Sequence, residues 1–212
     1  MAISTRSYAA GAVAVLAVLL GASWYATRPD GSDLFAQCAK GAVAGGAAAI
    51  GGPFTLTDEN GKTVTDQDVI TGPTLVYFGY TSCPDVCPLD NARNAEATSL
   101  LEERGIQATP VFISVDPARD TPEVMRDFTD AMHPRMLGLS GTPEQVKAAA
   151  QAYKVYYNIG DTSDPYYLVD HTTYTYLMFP KRGFVEYFNR DAGPEEMADT
   201  VACYTRAVER AG

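Results

Sequence analysis

Two cysteines separated by three residues stand between a strand and a helix in Tyr80-Thr81-Ser82-Cys83-Pro84-Asp85-Val86-Cys87-Pro88. The apolar run Leu75-Val76-Tyr77-Phe78 reads as a buried strand, and the residues after Pro88 have helical composition. A strand feeding directly into a helix requires an α/β arrangement. At the junction, backbone N–H groups and the positive end of the helix dipole favour thiolate over thiol. On one helical turn, positions i and i+4 carry Cβ atoms about 5–6 Å apart. Cys83 and Cys87 are therefore placed to grip one soft metal ion or to alternate between dithiol and disulfide. A pair of inert core cysteines is the blander alternative. The flanking Pro84 and Pro88, with Asp85 between the thiols, make a poor hydrophobic core.

The amino end is of another kind. Ser7 to Ala26 contains no charged residue and is mostly Ala, Val, Leu and Gly. A helix rising about 1.5 Å per residue over that run crosses the roughly 30 Å hydrocarbon layer of a bilayer. Trp24 and Tyr25 sit at the far end, where aromatic rings favour the interface. The reading is a transmembrane anchor in residues 1–28, its short amino end cytoplasmic. A signal peptide cleaved near Gly21-Ala22-Ser23 is the alternative. Six residues before the apolar run are too few for a mitochondrial transit peptide, which favours a bacterial inner membrane with the body in the periplasm. Residues 29–52, rich in Gly and Ala, read as a flexible tether. Residues 53–212 have the length of one domain. The formal net charge is −10, and only Arg6, Arg28 and Asp30 of the charged residues fall in the first thirty. So acidic a body argues against nucleic-acid binding.

Along the body the pattern alternates. Phe54 to Thr57 and Lys62 to Val64 flank an Asn60-Gly61 turn and predict a hairpin. Strands are predicted at Leu75–Tyr80, Pro110–Val115 and Met136–Leu139, with a helix from Asp90 to Arg104 that ends at Gly105. Thr121-Pro122-Glu123 and Thr142-Pro143-Glu144 each open a helix with a hydroxyl cap and a proline in the first turn. Tyr166–Asp170, Tyr174–Phe179 and Phe184–Phe188 predict strands, and Gly193-Pro194-Glu195 opens a last helix to about Arg210. Strands alternating with helices give a parallel core, and the late strands add an antiparallel part. The fold expected is α/β: a thioredoxin-like central mixed sheet flanked by helices, with an N-terminal transmembrane helix.

Two cysteines remain, Cys38 and Cys203. In an oxidising compartment leftover cysteines pair, which predicts a structural disulfide from the end of the tether to the last helix. The other possibility is that Cys38 is a mobile thiol exchanging with the active pair. Of the two histidines, His133 closes a helix and is assigned a structural role. His171, in Val169-Asp170-His171-Thr172-Thr173, lies between two strands, where Asp170 is placed to hold or tune the ring. Taken alone it is an ordinary loop histidine. Near the thiols it would complete a soft three-donor set that suits Cu(I) and Cu(II) and falls one ligand short of a closed zinc site.

Phe78-Gly79-Tyr80-Thr81-Ser82-Cys83-Pro84-Asp85-Val86-Cys87-Pro88 resembles the signature of the Sco/SenC family of copper-binding cytochrome c oxidase assembly proteins. Val115-Asp116-Pro117-Ala118-Arg119-Asp120-Thr121-Pro122 is similar to a second block of that family. Val169-Asp170-His171-Thr172 with Tyr176-Leu177-Met178 is similar to the block carrying its histidine ligand. The resemblance implies a thioredoxin-like domain on one membrane anchor, with copper held by Cys83, Cys87 and His171; Asp85 and Asp170, by their places beside these residues, are read as their supports. It implies a metallochaperone that helps build the dinuclear copper centre of cytochrome c oxidase subunit II, with another copper chaperone as a potential donor. The competing reading is a thiol–disulfide reductase acting on oxidase or other extracytoplasmic cysteines through Cys83 and Cys87. Against it, the spacing is one residue longer than Cys-x-x-Cys, and the nearest proline upstream of His171 is Pro165. A thiol peroxidase lacks a recognisable set of polar groups for the leaving oxygen.

Overall fold

The computed structural model describes residues 15–24, 34–39 and 50–211. The chain divides into two compact units, Met1–Gln37 and Cys38–Gly212. In the first, residues 15–24 are helical and Val15, Leu16, Val18, Leu19, Leu20 and Trp24 are exposed. The rest of the expected anchor lies outside the described residues. Among the described residues, no helix is long and apolar enough to cross a membrane. The second unit starts at the last residue of a short helix, α1 (Leu34–Cys38), ahead of residue 53, where the sequence pattern placed the domain boundary. A covalent bond explains the difference: Cys38 is joined to Cys203 in a disulfide with Cα atoms 5.7 Å apart.

The body contains β1 (Thr55–Asp58), β2 (Thr63–Thr65), α2 (Asp66–Val69), β3 (Thr74–Gly79), α3 (Val86–Glu103), β4 (Thr109–Ser114), α4 (Pro122–Met132), β5 (Leu137–Ser140) and α5 (Pro143–Ala152). After these come β6 (Tyr157–Ile159), β7 (Val169–His171), β8 (Thr175–Phe179), β9 (Gly183–Phe188) and α6 (Pro194–Ala211). Seven strands form one sheet in the order β2-β1-β5-β4-β3-β8-β9. β3, β4 and β5 are parallel, while β8 and β9 continue the sheet antiparallel beyond β3. Every residue of β3 is buried, as a strand covered on both faces must be. This is the mixed sheet with flanking helices expected of a thioredoxin-like domain.

Local chemistry sets the element ends. Thr121 and Thr142 cap α4 and α5, accepting the N–H of Val124 and of Gln145, and Gln145 returns its side chain to the Thr142 N–H. Gly105 follows α3 at φ 76°, a conformation that favours glycine. α3 begins at Val86 rather than Asp90. Pro88 tolerates this because the first turn of a helix has no intrahelical acceptor for its missing N–H.

The strand expected from Tyr166 is shorter. It starts at Val169 and pairs with β6, which the sequence pattern did not show, in a separate two-stranded sheet with Tyr157 opposite His171. Turns at Asp164 bend the chain before it: the Asp164 carboxylate accepts the Tyr166 N–H at 2.9 Å and its carbonyl accepts the Tyr167 N–H at 3.1 Å.

The pairing of β3 with β8 positions the site. Tyr77 stands opposite Thr175, so the segment entering β8, with His171 at its start, arrives beyond the carboxyl end of β3. The thiol-bearing turn leaves that same end. Ligand sites in such sheets gather at the carboxyl ends of parallel strands. The Cys38–Cys203 bridge joins residues 165 positions apart in the chain, which restricts the unfolded chain. Replacing Cys203 with Ala is expected to lower stability by about 2–4 kcal/mol, read as an earlier denaturation midpoint in urea without reductant.

Candidate metal centre

Cys83 lies in the turn between β3 and α3, and Cys87 in the first turn of α3. The Cys87 N–H donates to the Cys83 sulfur at 3.4 Å. Burial by itself opposes ionisation of Cys83. The backbone N–H groups of Asp85, Cys87 and Val86, with the Cys87 thiol, outweigh it, and the Cys83 pKa falls below the ordinary thiol value of 9.0. Cys87 behaves oppositely: its side chain is fully buried, and burial pushes its thiol well above that value. Gly79 makes room for this sulfur. A Cβ on residue 79 would fall 2.9 Å from Cys87 Sγ and equally close to the rings of Phe112 and Tyr77.

His171 closes the set. Its Nε2 is 3.2 Å from Cys87 Sγ, 84 residues away in the chain. Its Nδ1 is 3.0 Å from the Thr172 carbonyl. A carbonyl only accepts, so Nδ1 carries the proton and Nε2 presents a lone pair to the sulfurs. Burial holds the His171 pKa below its usual value, keeping the ring neutral. The donor atoms of Cys83, Cys87 and His171 all lie within 4.8 Å of one another. One metal ion can touch all three, and the donors are soft enough for copper.

The supporting groups differ from those expected. Asp85 is exposed at the start of α3, makes no side-chain cap, and reaches Cys83 through its backbone N–H. Asp170 is exposed because strand alternation points it away from His171, and it acts on the ring only as a nearby charge. The orienting bond assigned to it is made by the Thr172 carbonyl.

Two residues that the sequence reading did not single out stand closer. The Tyr77 and Tyr80 rings meet His171 edge-on, with centroids 6.0 and 5.9 Å away. The Tyr77 hydroxyl donates to buried Asp90 at 2.9 Å. Their signal was the two-residue period of a strand, which puts Tyr77 and Gly79 on one face beside the thiol turn. His133 is apart from this cluster: it caps the end of α4, and its Nδ1 accepts the Arg135 N–H.

A family model described as SCO1/SenC matches residues 42–206. The chain belongs to the SCO1/SenC family. Protein SenC of Rhodobacter capsulatus is 55% identical over 213 residues, covering 100% of this chain and 96% of its own. SCO1 homolog 1 of Arabidopsis thaliana is 41% identical over 157 residues, 74% of this chain but 47% of the relative, so that match spans about half of the plant protein. Among solved structures, Bradyrhizobium japonicum ScoI with copper bound is similar at 43% identity and TM-score 0.67, over 74% of this chain and 99% of that one. Arabidopsis thaliana ScoI with copper bound gives 39% identity and TM-score 0.70, over 76% and 99%.

The unequal thiols give a direct test. In the reduced, metal-free protein, iodoacetamide is expected to modify Cys83 first and leave Cys87 largely intact, as read by peptide mass mapping. Thiolate is the nucleophile, so the Cys83 rate falls as pH drops through its pKa, and that midpoint lies below 9.0.

Proposed function

We propose that this chain is a membrane-anchored copper metallochaperone that assists assembly of the dinuclear copper centre of cytochrome c oxidase subunit II. The observation that carries the reading is the 3.2 Å approach of the His171 ring nitrogen to the Cys87 sulfur, with the donor atoms of Cys83, Cys87 and His171 all within 4.8 Å of one another. Two sulfurs and one imidazole are a donor set that copper accepts in either oxidation state. Three ligands leave one side open, the arrangement a carrier needs to take metal on and release it. Copper is cargo here. The Sco family is one of cytochrome c oxidase assembly proteins, and relatives at 43% and 39% identity were solved with copper bound. Subunit II as acceptor and another copper chaperone as donor extend this reading.

The membrane part rests on the sequence. The uncharged run Ser7 to Ala26, with Trp24 and Tyr25 at its end, fits a single span in a bacterial inner membrane with the copper domain in the periplasm. An oxidising compartment also agrees with the Cys38–Cys203 disulfide.

A second reading has its own observation. A lowered Cys83 pKa beside a buried, protonated Cys87 is the asymmetry of an attacking and a resolving thiol. Thiol–disulfide exchange and copper loading are then linked, because both sulfurs must be reduced to bind metal.

Copper titration of the reduced protein separates the two. A sulfur-to-Cu(II) absorption band is expected in the parent and lost in Cys83→Ala, Cys87→Ala and His171→Ala. Loss of a partner behind a ligand commonly costs about 10–100-fold in metal affinity, so His171→Ala is expected to cost at least about a hundredfold while sparing dithiol oxidation. Equal copper affinity in the parent and His171→Ala would favour the reductase.

A further inference from the structure

The turn that follows β4, Val115 to Thr121, holds a cluster of buried charges that the copper reading leaves unused. Asp116 and Asp120 are almost fully buried, and the Arg119 side chain is 20% exposed. On one flank the Asp120 carboxylate accepts the Thr81 N–H at 3.1 Å and the Thr81 and Ser114 hydroxyls, each at 2.5 Å. Thr81 lies two residues before Cys83. On the other flank Asp116 pairs with Arg119 Nε at 2.5 Å and accepts the Tyr167 hydroxyl at 2.8 Å. The Arg119 guanidinium carbon stands 3.6 Å from the centre of the Tyr167 ring and 5.5 Å from that of Tyr80. Tyr167 belongs to the connection between β6 and β7, and β7 ends at His171. One short turn therefore holds the thiol loop on one side and the imidazole hairpin on the other.

The hairpin needs such a hold. It is a separate two-stranded sheet with no ladder to the main one, and an isolated pair of strands is marginal in water. A cavity of about 220 Å³ lies between its Tyr157, Ile159 and Thr162 and the Val115, Pro117 and Gly141 side of the body. Val169 is its buried apolar anchor. Arg119 and Tyr167, both half-buried, supply a cation–ring contact at the edge of the gap. We propose that Arg119 and Tyr167 are positioning residues for the metal centre: clasped through Asp116, they hold the hairpin so that His171 faces the two sulfurs. The inference rests on the copper reading above for its function and on the clasp geometry alone for its mechanics.

The test uses the full-length chain and the variant Tyr167→Leu, which leaves the Asp116–Arg119 pair in place. Copper affinity by chelator competition is expected to fall about tenfold. In a His171→Ala background the same substitution is expected to add no loss, because the ring it positions is gone. Tyr167→Phe keeps the ring over Arg119 but loses the hydroxyl bond to Asp116, and its affinity is expected to fall between those of the parent and Tyr167→Leu. In metal-free protein, hydrogen exchange is expected to rise about tenfold at the Gly160 and Thr172 amides, which bond to the Leu168 and Tyr156 carbonyls, and to stay constant in β4.

Unchanged exchange at Gly160 and Thr172 overturns the proposal. So does a rise shared by β4, which makes Tyr167 a support of the whole fold, and so does an equal copper loss in the His171→Ala background. If the parent binds no copper, the functional reading fails instead, and the exchange data alone decide whether the clasp holds the hairpin.

Discussion

The register of β3 against β8 sets Tyr77 opposite Thr175, and the grouping of Cys83, Cys87 and His171 depends on it. β3 delivers its carboxyl end, and the thiol turn, to the edge of the sheet from which β8 starts. The chain entering β8 must cross that edge with His171 in it. A slip of one residue in an all-buried strand would send every side chain to the opposite face. Tyr77 would leave the Cys87 side, and Gly79 would no longer open the gap in which the sulfur sits. Burial of Leu75, Val76, Tyr77 and Phe78, each fully covered, makes such a slip costly. The hydrophobic core thus fixes donor geometry as well as stability.

Within that frame the three donors are held by different physics. Cys83 is held by backbone N–H groups at the start of α3, which stabilise negative charge. Cys87 is held by packing, which opposes charge. His171 is held by one carbonyl on Nδ1 and two aromatic edges. Without metal, Cys83 therefore gives up its proton more readily than Cys87, and the ring is neutral. A bound cation must displace the Cys87 proton, and in doing so it replaces a buried neutral group with a charge-compensated one. Burial that disfavours a bare thiolate does not disfavour a metal thiolate to the same degree, because the pair carries less net charge. The same burial limits access to Cys87, so chemistry without metal is directed to Cys83.

Much of this is legible in the sequence. The Leu75–Phe78 run and the proline-flanked cysteines located the strand, the helix and the junction. The threonine–proline pairs located two helix starts, and elimination paired Cys38 with Cys203. What stayed hidden was long-range or weakly patterned. β6 has three residues, Tyr157-Asn158-Ile159, too few for an alternation to stand out, and it follows Lys154, whose φ is 58°. Nothing local marks it, and without it the position of His171 relative to the sheet is undetermined.

Adjacency to a ligand points to Asp85 and Asp170, yet adjacency in a strand or turn is what sends neighbouring side chains apart. The groups that do support the donors are a carbonyl and several N–H groups, which carry no residue-type signal at all. Tyr77 and Tyr80 look like core aromatics, and they are; their second role follows only from where β8 starts.

The division between the main sheet and the β6–β7 hairpin sets how independently the donors behave. Both sulfurs are fixed to elements whose loss would cost the core, since β3 is buried along its length and α3 buries one face. The imidazole rides on a two-stranded unit bounded by a cavity and held by Val169 and a polar clasp. Local opening free energies follow the buried apolar area and the hydrogen bonds that an opening must break. By that measure the ring can be displaced at lower cost than either sulfur. A site built this way keeps its two sulfurs together when the third donor moves. Its coordination number, and with it the grip on a soft cation, is governed by contacts that lie outside the ligands themselves, on the turn between Val115 and Thr121.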